Sequence, residues 1–224
     1  MSKKTLSEQL FEKFCDINGI DWSPIATVGQ VSCKHPDYYI KCNENTVFVE
    51  IKEIGESPAD RARYQRLKQT GSTGVYDPRL DERVRKKIDR AMPQLRYLAK
   101  GKYPAIVVLY DNISIIQIEG LEIRLGMYGK DMVDIGLVGN ISNTDIFIRH
   151  RFGAGQKVSA NHNTTLSAVA LLTSQSDQSL HLDFYHNKFA AKPFDPNWLR
   201  TLTVKHYQLG SQPGEGGLIE WESI

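Results

Sequence analysis

Residues 36–52 read PDYYIKCNENTVFVEIK, and the organisation of the chain follows from them. Two short extended runs, Pro36 to Lys41 and Thr46 to Lys52, flank the turn-prone Asn43-Glu44-Asn45, a pattern that predicts a β-hairpin. In the second run Val47, Val49 and Ile51 alternate with Phe48, Glu50 and Lys52, so one face is apolar and the other mixed. With the turn centred on Asn43-Glu44, Asp37 falls directly opposite Glu50. Opposed residues of an antiparallel pair share a face, with Cβ atoms roughly 4.5–5.5 Å apart. Lys52, two residues past Glu50, belongs to that face as well.

Two carboxylates so placed repel each other strongly without a cation, and an unmatched charge in so apolar a strand is costly. A hard divalent ion such as Mg2+ (or Mn2+) wants converging oxygen ligands with room left for water. Asp37 and Glu50 supply two, and the backbone carbonyl of Ile51 is a third candidate. Lys52 is placed to orient or deprotonate a water, or to stabilise developing negative charge. The blander alternative is a solvated hairpin face on which Glu50 and Lys52 are ordinary surface charges.

Outward from the hairpin, Leu6, Leu10, Phe14 and Ile17 recur at helical spacing and predict a helix from Leu6 to Ile17, stopped by Gly19. After the hairpin, Gly55 to Pro78 lacks periodicity and carries Pro58, Gly71, Gly74 and Pro78, which reads as a long basic loop at about 55–80. A second helix follows from about Asp81 to Lys100, with Val84, Ile88, Ala91, Leu95 and Leu98 on one stripe and Pro93 expected to bend or divide it. Ala105 to Tyr110 is a continuous apolar run, the mark of a central strand buried on both faces. Beyond Asn112 the strand candidates are Ile113 to Ile118, Leu166 to Leu172, Leu180 to Tyr185 and Thr201 to Leu209. Residues 1–111 therefore read as a core, 112–209 as a continuation of the same domain with extra strands, and 210–224 as a flexible tail.

The net charge of +2 is unevenly spread. Between Glu56 and Arg90 stand ten basic residues against six acids, leaving +4 there and −2 elsewhere. Such segregation suits a polyanion, with Arg61, Arg63, Arg66 and Lys68 as the contacts, although a solvated face explains it equally well. Cys15, Cys33 and Cys42 have no paired spacing, so neither a disulfide framework nor a zinc site is expected. No apolar stretch approaches membrane-spanning length, and the expected location is cytoplasmic.

Pro36-Asp37 followed by Glu50-Ile51-Lys52 at the end of an apolar strand resembles the PD-(D/E)xK motif of the restriction-endonuclease-like nuclease superfamily. The order helix, hairpin, helix, buried strand is similar over about residues 5 to 111. The resemblance implies an α/β fold with a restriction-endonuclease-like core (helix, mixed central β-sheet, flanking helices), here carrying a β-rich C-terminal elaboration. It implies a Mg2+- or Mn2+-dependent endonuclease acting on DNA, and a homodimer to cut two strands. Asp37, Glu50, Lys52 and a helix acid would be catalytic, with Lys87 and Gln94 of the second helix in support. For the helix acid Glu8 is preferred over Glu12, as it lies nearer the apolar arc and would join Asp37 and Glu50 on the metal. Thr5-x-x-Glu8 equally fits a capping box, in which Glu8 only satisfies a backbone donor. The competing expectations are a non-catalytic protein that keeps the fold and binds nucleic acid or another protein, and a hydrolase acting on RNA.

Overall fold

The hairpin turns through Asn43, whose φ of +56° lies in the left-handed region that asparagine tolerates better than most residues. It joins β2 (Tyr38–Cys42) to β3 (Asn45–Gly55), with a register running from Tyr38 opposite Val49 to Cys42 opposite Asn45. The structure is a computed structural model and describes residues 4–25, 35–72, 77–113, 117–140, 143–175, 177–211 and 219–224. A short strand, β1 (Asp21–Pro24), extends the hairpin on its outer edge.

The first helix, α1, spans Leu6–Ile17, as its spacing predicts. Thr5 caps it through a capping box with Glu8, and Gly19, at φ +63°, turns the chain away toward β1. On β3 the side chains divide between two cores. Val47, Val49 and Ile51 pack with Phe11, Phe14 and Cys15 of α1, whereas Phe48 and Ile54 pack on the opposite side of the sheet. That opposite side is covered by α3 (Leu80–Ala99), whose Val84, Ile88, Ala91 and Leu95 are fully buried. Pro93 sits inside α3 without dividing it, on an exposed position.

The segment expected to be a long basic loop is instead largely helical. Residues Pro58–Thr70 form α2. It has no apolar stripe and escapes a periodicity test, but its ends are strongly marked. Ser57 and Asp60 make a capping box, Pro58 takes the first turn, and Gly71 at φ +70° closes the C-terminus. A buried ion pair from Asp60 to Arg83 (2.8 Å) fastens α2 to α3.

β4 (Ala105–Asn112) runs parallel to β3. Its residues 105–110 are all buried because Ile106, Val108 and Tyr110 enter the core on the α1 side while Ala105, Val107 and Leu109 enter the one on the α3 side. Asp111 then accepts from the backbone N–H groups of Ile113 and Ile118, so the strand expected at 113–118 is not formed at its described ends; residues 114–116 lie outside the described residues. The helix α4 (Gly120–Tyr128) packs on α3 through Gly126, where a Cβ would collide with the Val84 side chain. A separate two-stranded ribbon follows, β5 (Asp131–Asn140) against β6 (Asn143–Phe152). Neither α4 nor the ribbon is foreseen by the sequence reading.

The chain then returns to the main sheet with β7 (Ala168–Ser174), β8 (Leu180–His186) and β9 (Val204–Leu209), close to the expected runs. The expected tail is not wholly loose. β10 (Trp221–Ser223) pairs with β9, and the Trp221 indole donates to the Gly120 carbonyl (2.8 Å). Residues 212–218, which include most of the Gly-rich part of that tail, lie outside the described residues, as does Cys33. The finished sheet has the order β1-β2-β3-β4-β7-β8-β9-β10 with mixed strand directions. The molecule is thus α/β, a large mixed sheet flanked by helices with a β-rich C-terminal part. Cys15 and Cys42 are buried free thiols. No helix among the described residues is long and apolar enough to cross a membrane.

Candidate active site

Extending the hairpin register by one residue beyond Tyr38 and Val49 sets Asp37 opposite Glu50, as the spacing predicts. The Asp37 carboxylate stands where β2 begins and accepts from the backbone N–H of Ile51 through Oδ2 (2.7 Å). Within a strand residue the N–H and C=O project to the same side, so the Ile51 carbonyl faces the same gap. Glu50, an even-numbered residue of β3, shares the α3 side of the sheet with Phe48 and Ile54. It is completely buried. Its Oε1 pairs with the Lys52 ammonium, while Oε2 is buried without a hydrogen bond of good geometry, although Asp37 lies near enough to act on the carboxylate. An unmatched buried carboxylate oxygen is expensive, and native proteins rarely keep one without a ligand or a role.

The electrostatics of the two acids are consistent with that cost. The Glu50 carboxyl is raised to about 7, first by burial and then by the neighbouring Asp37 charge, with Lys52 and the Asp37 backbone N–H only partly opposing them. Asp37 is also raised, chiefly by burial. The Ile51 N–H and Lys52 pull it back, and Glu8 pushes it up again. Asp37, Glu50 and Lys52 therefore form one interacting group, as their spacing predicts.

The helix acid is placed differently from the expectation. Glu8 turns back on its own helix, where its Oε2 accepts from the Thr5 N–H (2.6 Å), so the capping-box reading describes its contacts. Glu12 reaches the hairpin instead, accepting from the Tyr38 hydroxyl (2.7 Å) and pairing with Lys4 (2.7 Å). The signal missed was Tyr38 itself, an inward residue beside Asp37 whose hydroxyl needs an acceptor when buried. Among the described residues no three Asp, Glu, His or Cys side chains come together as a ready metal cage. Asp37 and Glu50 thus converge, with Glu8 hydrogen-bonded to its own cap yet near enough for its charge to act on Asp37.

Lys87 and Gln94 of α3, the residues expected in support, face this side of the sheet. Lys87 lies among Lys52, Glu53 and Arg90, and burial together with those two cations lowers its ammonium below the ordinary value. The Gln94 amide points to the His35 carbonyl at 3.5 Å, the outer limit of a hydrogen bond, on the segment leading into Asp37. The basic residues assigned to polyanion contact all lie on α2, but not on one face of it. At about 100° per residue, Arg61 and Lys68 fall together and Arg63 and Arg66 fall on the far side. Arg61 donates to the Glu56 carbonyl (3.2 Å), and Lys68 sits over the Tyr64 ring (4.2 Å).

No family model matches the chain, and no curated protein matches it. A solved structure, "The structure of Pyrococcus Furiosus SfsA in complex with Ca2+", is similar at 16% identity and a TM-score of 0.23, over 66% of this chain and 61% of that one. The chain thus spans about 61% of the length of that protein. Superposition this loose establishes neither a shared fold nor a shared activity.

Proposed function

We infer that the chain is a divalent-metal-dependent nuclease of the PD-(D/E)xK kind, hydrolysing phosphodiester bonds, with DNA as its substrate. The observation that carries this is the fully buried Glu50 carboxylate, its Oε2 without a well-formed hydrogen bond, beside the half-buried Asp37 carboxylate, with an ammonium on the other oxygen. This donor set fits Mg2+ or Mn2+: hard oxygens, a local excess of negative charge, and too few protein ligands to close the shell. Asp37, Glu50 and the Ile51 carbonyl would hold the ion, and Glu8 would join only if its bond to the Thr5 N–H opens. Such an ion, when bound, supplies charge neutralisation at phosphate and a water acidic enough to attack near neutral pH.

The chain's own residues have separable tasks in this reading. The Ile51 N–H fixes one Asp37 oxygen and so aims the other. Glu50, walled in by apolar neighbours, cannot relax its charge into solvent and is held ready for a cation. Lys52 keeps a proton donor at the mouth of the pair and stabilises negative charge that develops on phosphate. Gln94 steadies the backbone at His35 just ahead of Asp37.

The test is cleavage of plasmid DNA with and without Mg2+, repeated with Asp37→Ala and Lys52→Ala proteins whose circular dichroism matches the parent. Loss of at least a hundredfold in rate is expected for each variant. Undiminished cutting by either folded variant would discard the nuclease reading. The alternative, a nucleic-acid-binding protein without catalysis, is favoured by one observation, that Glu8 is hydrogen-bonded into its cap and no cluster of three metal-ligating side chains forms among the described residues. Calorimetry with Mg2+ separates the two, since the catalytic reading requires the ion to bind.

A further inference from the structure

Charges on α3 are matched almost everywhere except at three positions of one stripe. Arg85 pairs with Asp81, Asp89 with Lys157, Arg79 with Glu82, and Arg83 with Asp60. Among the described residues, Lys86, Lys87 and Arg90 have no hydrogen-bond or ion-pair partner. Arg83, Lys86, Lys87 and Arg90 stand at i, i+3, i+4 and i+7, which puts them on one side of the helix. All four line a pocket that Gly55 and Ser57 close from the end of β3. Like charges at this spacing destabilise a helix, and Lys87 is half-buried beside Arg90 and Lys52 as well, which the nearby Glu53 only partly offsets. An arrangement that costs stability, in a molecule that pairs the other charges of the same helix, points to an anion from outside.

The position specifies the anion. The pocket opens at the C-terminal end of β3, the strand that carries Glu50 and Lys52, and Lys87 bridges the two places. Five residues of strand separate Glu50 from Gly55, at most about 17 Å, while each strand of a duplex presents a phosphate every 3.4 Å or so of axis. The pocket is therefore within a few nucleotides of the proposed reaction centre. The Arg90 guanidinium can grip a phosphate with its fork while the two lysine ammonium groups add mobile point charges beside it. Resting on the nuclease reading, we propose that Lys86, Lys87 and Arg90, with Gly55 and Ser57, form a phosphate subsite that holds the substrate strand beside the cleaved bond. The phosphate is either internal to the strand or at its end, and the chemistry of the pocket is the same for both.

The experiment is fluorescence anisotropy of duplex DNA in chelator, read as the slope of log affinity against log salt. The Lys86→Ala/Arg90→Ala protein is compared with the parent and with Lys100→Ala/Lys102→Ala, which removes two cations at the other end of α3. All four side chains are exposed, so the variants keep the fold. The first variant should flatten the slope by about one, uniformly across sequences, and the control should not. A slope unchanged in the first variant, or changed equally in the control, overturns the subsite. Loss confined to duplexes with 5′-phosphate ends assigns an end phosphate, and equal loss on a closed circle assigns an internal one. A parent protein that never cuts DNA but shows the slope change discards the nuclease reading and keeps the subsite. A cutting enzyme with no slope change does the reverse.

Discussion

Glu50 carries an electrostatic load that a pH titration can read. With its carboxyl near 7 in the fold against an ordinary 4.5, the native state keeps a proton that the unfolded chain has already released between those values. The native state then binds more protons, so stability falls as pH rises through that window, by roughly 1.4 kcal/mol per unit. His186, lowered to about 4 by burial and by His206, and His206 itself, also lowered, contribute with the opposite sign over an overlapping range, so the Glu50 share is read as a difference between proteins. In denaturant unfolding with chelator, the stability of the parent minus that of Glu50→Gln should fall from about pH 5 to 7 and level off above, and Mg2+ should rescue only the parent. A difference that stays constant over that range would contradict the raised carboxyl. This group was legible in the sequence because hairpin register is simple arithmetic once a two-residue turn is recognised. The helix acid was not, since helical angle cannot tell a carboxylate that turns back on its cap, as Glu8 does, from one that reaches a neighbouring strand, as Glu12 does.

At the scale of elements, α2 shows how a helix can exist without an apolar face. Its side chains are mostly exposed, and what holds it is the Ser57–Asp60 capping box, Pro58, Gly71 and the Asp60–Arg83 pair. Asp60 serves both the cap and the ion pair at 4% exposure. Asp60→Asn should therefore release α2 while sparing the sheet, lowering hydrogen-exchange protection of its amides at least tenfold, about 1.4 kcal/mol. Unchanged protection in α2, or an equal loss in β4, would show that the helix is held by something else. The capping signal Ser57-Pro58-Ala59-Asp60 was present in the sequence, but periodicity outweighed it. The β5–β6 ribbon escaped for the opposite reason: alternation predicts a strand only when its apolar side is buried, and here Ile135, Ile146 and Ile148 are 71%, 68% and 63% exposed.

For the whole molecule, the first half of the sheet was readable and the closing strands were only approximately so. Ala105 to Tyr110 announced a strand covered on both faces, and the two cores account for every alternate side chain. Nothing local announced that β4 would lie between β3 and β7, or that Trp221 would anchor an edge strand, because those placements depend on contacts far apart in the chain. All residues of the proposed reaction centre nonetheless lie before residue 112, on one side of β4.

That location of β4 governs the order in which the chain can assemble. Its far neighbour, β7, begins only at Ala168, so a chain emerging during synthesis presents the backbone edge of AIVVLY, uncharged and rich in β-formers, until more than fifty further residues have been made. A fragment ending at Asn112 should precipitate, whereas one extended through His186 should stay in solution; a monomeric, soluble short fragment, seen by light scattering, would refute this. The carboxy-terminal half, through β7, would then act as a built-in chaperone for the half that carries the proposed reaction centre.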